Sequence, residues 1–189
     1  KFPQVVFVNG NHEHYNIPRE ELYANLAAAE KRNKNLHWLR DGNYTTTIDG
    51  KTFHGATGWF RDDPPNQMYE QNLSDFHAIP NLRDWVYEEQ KVFQTYLEEN
   101  LKEGDIVVTH HMPSELVVHD LFKGSVLNRF FVCDHTELII NRKPSLWLFG
   151  HTHIPTSIMV GDTRTVCNPR AYPYEFEYTP FDPNLVIEI

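Results

Sequence analysis

The chain has 189 residues, 40% of them hydrophobic and 23% charged, which suits one globular domain with an ordinary core and excludes a disordered polymer. Its formal net charge is −9 with no basic cluster, which disfavours an extended nucleic-acid surface, because such binding rests on Lys and Arg neutralising phosphates. No apolar run reaches the length of a membrane-spanning helix.

Two cysteines, Cys133 and Cys167, stand at no metal-ligand spacing and read as ordinary thiols of a reducing compartment, so the expected location is cytoplasmic. The first residues show neither an initiator Met nor a signal-peptide layout. Instead the chain opens on Val5-Val6-Phe7-Val8, a β-branched and aromatic run that predicts a buried strand stopping at Asn9-Gly10.

Pro18-Arg19-Glu20-Glu21 predicts a helix start, with proline and acidic residues where the helix dipole favours them. Tyr44 to Ile48 and Lys51 to Ala56 flank Asp49-Gly50 and predict a hairpin. The stretch from Asp62 to Pro80 reads as irregular. Leu82, Trp85, Val86, Phe93, Tyr96, Leu97 and Leu101 then mark one face of a long helix. Ile106-Val107-Val108 and Leu146-Trp147-Leu148-Phe149 predict two more buried strands, with a helix over Glu137 to Asn141 between them. Residues 115–132 carry no clear pattern. Thr156 to Val160 and Arg164 to Val166 form a second predicted hairpin, and Leu185 to Ile189 reads as a closing strand. Strands alternating with helices, flanked by hairpins, predict a single layered α/β domain over residues 1–189 with mixed β-sheets.

Each buried strand ends in a polar cluster: Gly10-Asn11-His12-Glu13, then Thr109-His110-His111-Met112-Pro113-Ser114, then Gly150-His151-Thr152-His153. Ligands bind at the carboxyl ends of strands in open α/β sheets, so three such clusters predict one convergent site. An amide, several imidazoles and a carboxylate together suit a metal centre. Gly10 and Gly150 each precede a candidate ligand, where the backbone turns close to the site. Neighbouring side chains at a strand end point opposite ways, so one of His110 and His111 is expected to bind metal and the other to stand nearby.

In order and context these clusters resemble the third, fourth and fifth motifs of the calcineurin-like metallophosphoesterases, G-N-H-D/E, a strand-ending His, and G-H-x-H. The resemblance implies an α/β sandwich with helices outside mixed sheets. It also implies hydrolysis of a small phosphomonoester or phosphodiester by a hydroxide bridging two divalent ions. Mn²⁺ is the expected metal, with Fe, Zn, Co and Ni as alternatives. Asn11, His110 and His151 match ligands of one ion, and His153 matches a ligand of its neighbour. His12 matches a histidine that faces the phosphate and assists the leaving group, with Glu13 holding its orientation. His111 and Arg170 are candidate substrate contacts. Trp59-Phe60 and the loop through Asp63 would either cap the pocket or simply pack. The rival reading is a catalytically silent scaffold of the same fold that binds a partner protein.

The family pattern begins with two earlier motifs, D-x-H and G-D-x-x-D, and neither stands before Gly10. The chain is therefore expected to lack N-terminal strands and the carboxylate that bridges the ions. Two 2+ ions ~4 Å apart repel by about 17 kcal/mol at an effective dielectric near 20, which neutral donors do not offset.

Overall fold

The structure is a computed structural model that describes residues 2–175 and 180–189. Strand β1 (Val5–Phe7) pairs in parallel with β2 (Leu36–Trp38), with Val5 opposite Leu36 and Phe7 opposite Trp38. Helix α1 (Arg19–Arg32) makes the crossover between them and begins directly after Pro18, as the sequence predicts. The parallel partner β2 carries no β-branched residue, and no sequence signal marks it as a strand.

The second sheet has six strands. β3 (Thr45–Ile48) and β4 (Lys51–Ala56) form the first hairpin. Asp49 and Gly50 both take positive φ, 50° and 78°, which twists the turn to match the strands it joins. Next in sequence come β5 (Ile106–Thr109), β6 (Leu146–Leu148), β7 (Thr156–Val160) and β8 (Thr163–Cys167). The spatial order is β3-β4-β5-β6-β8-β7, with β4, β5, β6 and β8 mutually parallel and a hairpin at each edge. The two sheets approach each other at Gly55 of β4. A Cβ there would lie 2.6 Å from the Val108 carbonyl oxygen and 3.1 Å from both Val8 and Leu39 side chains. Only a glycine fits between them.

Two short helices, α2 (Asn66–Tyr69) and α3 (Asp75–Ala78), occupy the stretch predicted to be irregular. The long helix α4 (Val86–Asn100) starts later than its apolar stripe suggests, because Trp85 leaves helical geometry at φ −139° and separates it from a single 3₁₀ turn over Leu82–Asp84. Phe93 and Leu97 of α4, with Leu101 directly after it, share one core cluster with Val107, Trp147 and Ile139, the last from α5 (Thr136–Arg142). A second cluster joins Trp59, Phe60, Val86 and Phe130. Trp59 and Phe60 are buried there, so they pack and do not cap a pocket.

One expectation fails, and one stretch without a pattern gains a structure. Leu185 to Ile189 form no strand: Val186 is 81% exposed, and Ile187 packs against the Ile106–Leu146–Val166 cluster through its side chain alone. Residues 115–132 are a chain of 3₁₀ turns, whose starts at Glu115 and Val126 are capped by Ser114 and Ser125. Both cysteines are buried free thiols, as expected.

Candidate metal and active site

The chain leaves β1 at Val8 and turns at once through Asn9, Gly10 and Asn11 into a 3₁₀ turn over His12–His14. Buried Asn9 holds that turn. Its carbonyl oxygen accepts from Trp38 Nε1 at 3.0 Å, while its amide nitrogen donates to Thr57 Oγ1 at 3.1 Å and reaches His14 Nε2 at 2.9 Å. Since that amide nitrogen donates, the His14 proton sits on Nδ1, which is buried without a partner.

β5 delivers the second cluster. Both His110 and His111 donate their backbone N–H to the Thr57 carbonyl, at 3.0 and 3.1 Å. Their rings then diverge by 86°. The His110 ring lies over Gly10, where an added Cβ would come within 2.7 Å of it. β6 delivers the third cluster: Gly150 donates to the His110 carbonyl at 3.0 Å, and His151 follows at φ 63°, a left-handed conformation that costs a non-glycine residue about 1–3 kcal/mol. Such a conformation persists only where surrounding contacts enforce it.

The result is a tight meeting of three predicted ligands. His110 Nε2 lies 2.9 Å from Asn11 Oδ1 and 3.1 Å from His151 Nδ1. One proton on His110 Nε2 can serve only one of those two acceptors. A divalent ion can serve all three lone pairs, and neighbouring donors on an octahedral ion at ~2.1 Å lie about 3 Å apart. The donor set therefore fits a borderline divalent cation. It is wholly neutral, and among the described residues no group of three or more His, Cys, Asp and Glu is placed to hold an ion.

Electrostatics keeps these imidazoles uncharged. Burial, reinforced by His111, His12 and His153, holds His110 well below the usual histidine range, and burial with the same neighbours and His110 does so for His151. The His151 Nε2 atom is buried without a partner. His111 is pushed down to about 4, chiefly by burial. Its Nδ1 faces the Thr57 carbonyl at 3.2 Å, so the proton is there and Nε2 is bare, with the ring 4.5 Å from that of His151 and 5.1 Å from Trp59. At 1% exposure His111 sits behind the cluster and offers no surface to a substrate.

His153 stands apart from the trio. Its Nδ1 is 2.8 Å from Glu175 Oε2, and because a carboxylate only accepts, Nδ1 carries the proton of that contact, which in the neutral ring leaves Nε2 its lone pair. A histidine oriented by a carboxylate is the usual arrangement of a metal ligand. His12 is exposed, 4.5 Å from the Tyr15 ring and 3.5 Å from the Tyr172 hydroxyl. Glu13 does not orient it. In a 3₁₀ turn successive side chains diverge by roughly a third of a circle, and the Glu13 carboxylate turns back to accept from Gly10 N–H at 2.7 Å. Arg170 is exposed beyond β8.

Sequence reasoning missed four residues here: Thr57, Asp75, Tyr172 and Glu175. Asp75 Oδ1 accepts from Asn11 Nδ2 at 2.8 Å and from Tyr15 Oη at 2.6 Å. None of the four lies in a strand-end motif, and no local pattern marks them.

Comparison with known proteins bears on the family and the fold. An uncharacterised protein of Acanthamoeba polyphaga mimivirus is 22% identical, over all of this chain and 74% of its own. The phosphopantetheinyl hydrolase of Mycobacterium tuberculosis superposes with a TM-score of 0.64 at 14% identity, covering 100% of this chain and 79% of that one. A protein of Thermus thermophilus gives 0.53 at 19% identity, over 87% of this chain and 62% of its own. Residues 1–155 match the family described as calcineurin-like phosphoesterase, a match that spans all three strand-end clusters. The chain belongs to the calcineurin-like phosphoesterase family and is a hydrolase of phosphate ester bonds.

Proposed function

We propose that the protein hydrolyses a small phosphomonoester or phosphodiester at a dinuclear centre, with Asn11, His110 and His151 holding one divalent ion and His153 contributing to a second. The observation that carries this reading is the approach of Asn11 Oδ1 and His151 Nδ1 to His110 Nε2, at 2.9 and 3.1 Å. The two ions, Mn²⁺ by preference, would supply a hydroxide nucleophile at neutral pH and positive charge against the phosphate oxygens. The protein's own groups do the rest. His12, exposed beside the trio, donates a proton to the leaving oxygen. The Tyr15 and Tyr172 rings flank His12 and limit its rotation. Glu175 fixes the proton of His153 on Nδ1, leaving Nε2 free to bind. Neutral donors alone do not balance two 2+ ions, so the second ion requires carboxylates beyond this trio.

The net charge of −9 favours a compact phosphorylated substrate, gripped locally, over a long polyanion. Turnover of p-nitrophenyl phosphate and its bis-ester by the protein with added Mn²⁺ tests the proposal. Hydrolysis of either ester supports it, and metal binding without hydrolysis of any phosphate ester would leave the silent scaffold.

A further inference from the structure

We infer that Asp75 is a positioning residue that holds the Asn11 amide with its oxygen, not its nitrogen, toward His110 and the metal position. The inference rests on the reading of Asn11 as a ligand.

An asparagine side chain is nearly symmetric in shape but opposite in chemistry at its two ends. Only the oxygen carries a lone pair for a cation. Turned the other way, Asn11 would aim two N–H donors at the ion and at His110 Nε2. The Asn11 side chain therefore has two states, one able to bind metal and one hostile to it. Asn11 is 4% exposed, so water cannot select between them.

Asp75 makes the selection. It is 3% exposed, and a carboxylate has no proton to give. Its Oδ1 accepts from Asn11 Nδ2 at 2.8 Å, which places Asn11 Oδ1 on the far side, 2.9 Å from His110 Nε2. The reversed amide would press its oxygen against a buried carboxylate and lose a charge-assisted hydrogen bond. Tyr15 fixes Asp75 in turn, donating to the same oxygen at 2.6 Å. Position in the fold adds to the case. Asp75 opens α3, 64 residues along the chain from Asn11, so nothing local requires the contact. Asp75 is also the carboxylate whose charge reaches the buried His111.

Isothermal titration of the 189-residue chain with Mn²⁺ tests this alongside a ¹⁵N spectrum of its side-chain amides. D75A should weaken Mn²⁺ binding about 10–100-fold, the usual cost of losing a partner that orients a metal ligand. D75N, which keeps a carbonyl oxygen as acceptor, should stay within about 3-fold of the parent chain. A purely structural Asp75 would lower thermal stability in D75A and leave the affinity alone, which overturns the inference. So does equal loss in D75N and D75A, because charge and not orientation would then be responsible. N11A separates the two ideas: loss of Mn²⁺ in N11A but not in D75A sinks the inference alone, whereas an unaffected N11A sinks the ligand assignment beneath it. If D75A fails to fold or Mn²⁺ binding is too weak to measure, the parent spectrum decides. Slow exchange of an Asn11 amide proton is expected, and rapid exchange of both contradicts the contact with Asp75.

Discussion

Gly10 is where the site has least room, and the chemistry of its neighbours depends on it. The His110 ring occupies the space a Cβ would take, 2.7 Å away. Gly10→Ala should therefore displace His110, cost about 1–3 kcal/mol of stability by overpacking, and weaken metal binding with it; thermal melts and a Mn²⁺ titration check both. His12 has no such structural duty. It is exposed and outside the Asn11–His110–His151 trio. His12→Ala should lower kcat by roughly 10²–10⁴-fold while metal content stays intact, and a parallel loss of metal would make His12 a ligand. Glu13 takes a different role from the one its motif implies. Its carboxylate accepts from the Gly10 amide at 2.7 Å, and a glutamine oxygen can do the same. Glu13→Gln should be nearly silent in kcat, whereas Glu13→Ala should loosen the turn that carries Asn11. A rate defect in Glu13→Gln matching that of His12→Ala would restore the direct pairing.

At the scale of elements, the strands that deliver ligands were legible because each is a β-branched or aromatic run ending in a polar cluster. β2 was not, since Leu36-His37-Trp38 has no such signature, and neither were α2 and α3, single turns too short for an apolar period. The closing strand failed because an apolar run does not specify its partner, and Ile187 finds a core contact instead of a ladder. Buried histidines at two element junctions carry a consequence for acid stability. His14 ends the turn after β1 and is lowered to about 4, mainly by burial and then by Arg19. His135, which precedes α5 and stacks on Trp147, is lowered to about 3 by burial and then Arg61. In both, the unfolded chain binds a proton near pH 6.5 that the folded chain refuses. Their contribution is complete above that pH and is lost as pH falls from about 6.5 toward 4 and then 3. Chemical denaturation from about pH 7 to about pH 4.5 should show falling stability, with a shallower slope in His135→Phe. An identical slope in that variant would mean His135 is protonated in the fold.

Across the whole molecule, two sheets meet at Gly55 and send the ends of β1, β5 and β6 to one place. The sequence motifs anticipated that convergence, because strand-end position and residue type are local. They did not anticipate what holds the ligands in orientation. Asp75, Tyr172 and Glu175 reach the site from segments with no motif, and such partners become visible only when the chain is folded. The central claim is that Asn11, His110 and His151 form one neutral cation site. Titration of the 189-residue chain with Mn²⁺, by calorimetry and metal analysis, tests it most directly. The account predicts a Mn²⁺ site that is lost in Asn11→Ala, His110→Ala and His151→Ala and kept in His111→Ala. A site that survives loss of His110 and vanishes with His111 would contradict it.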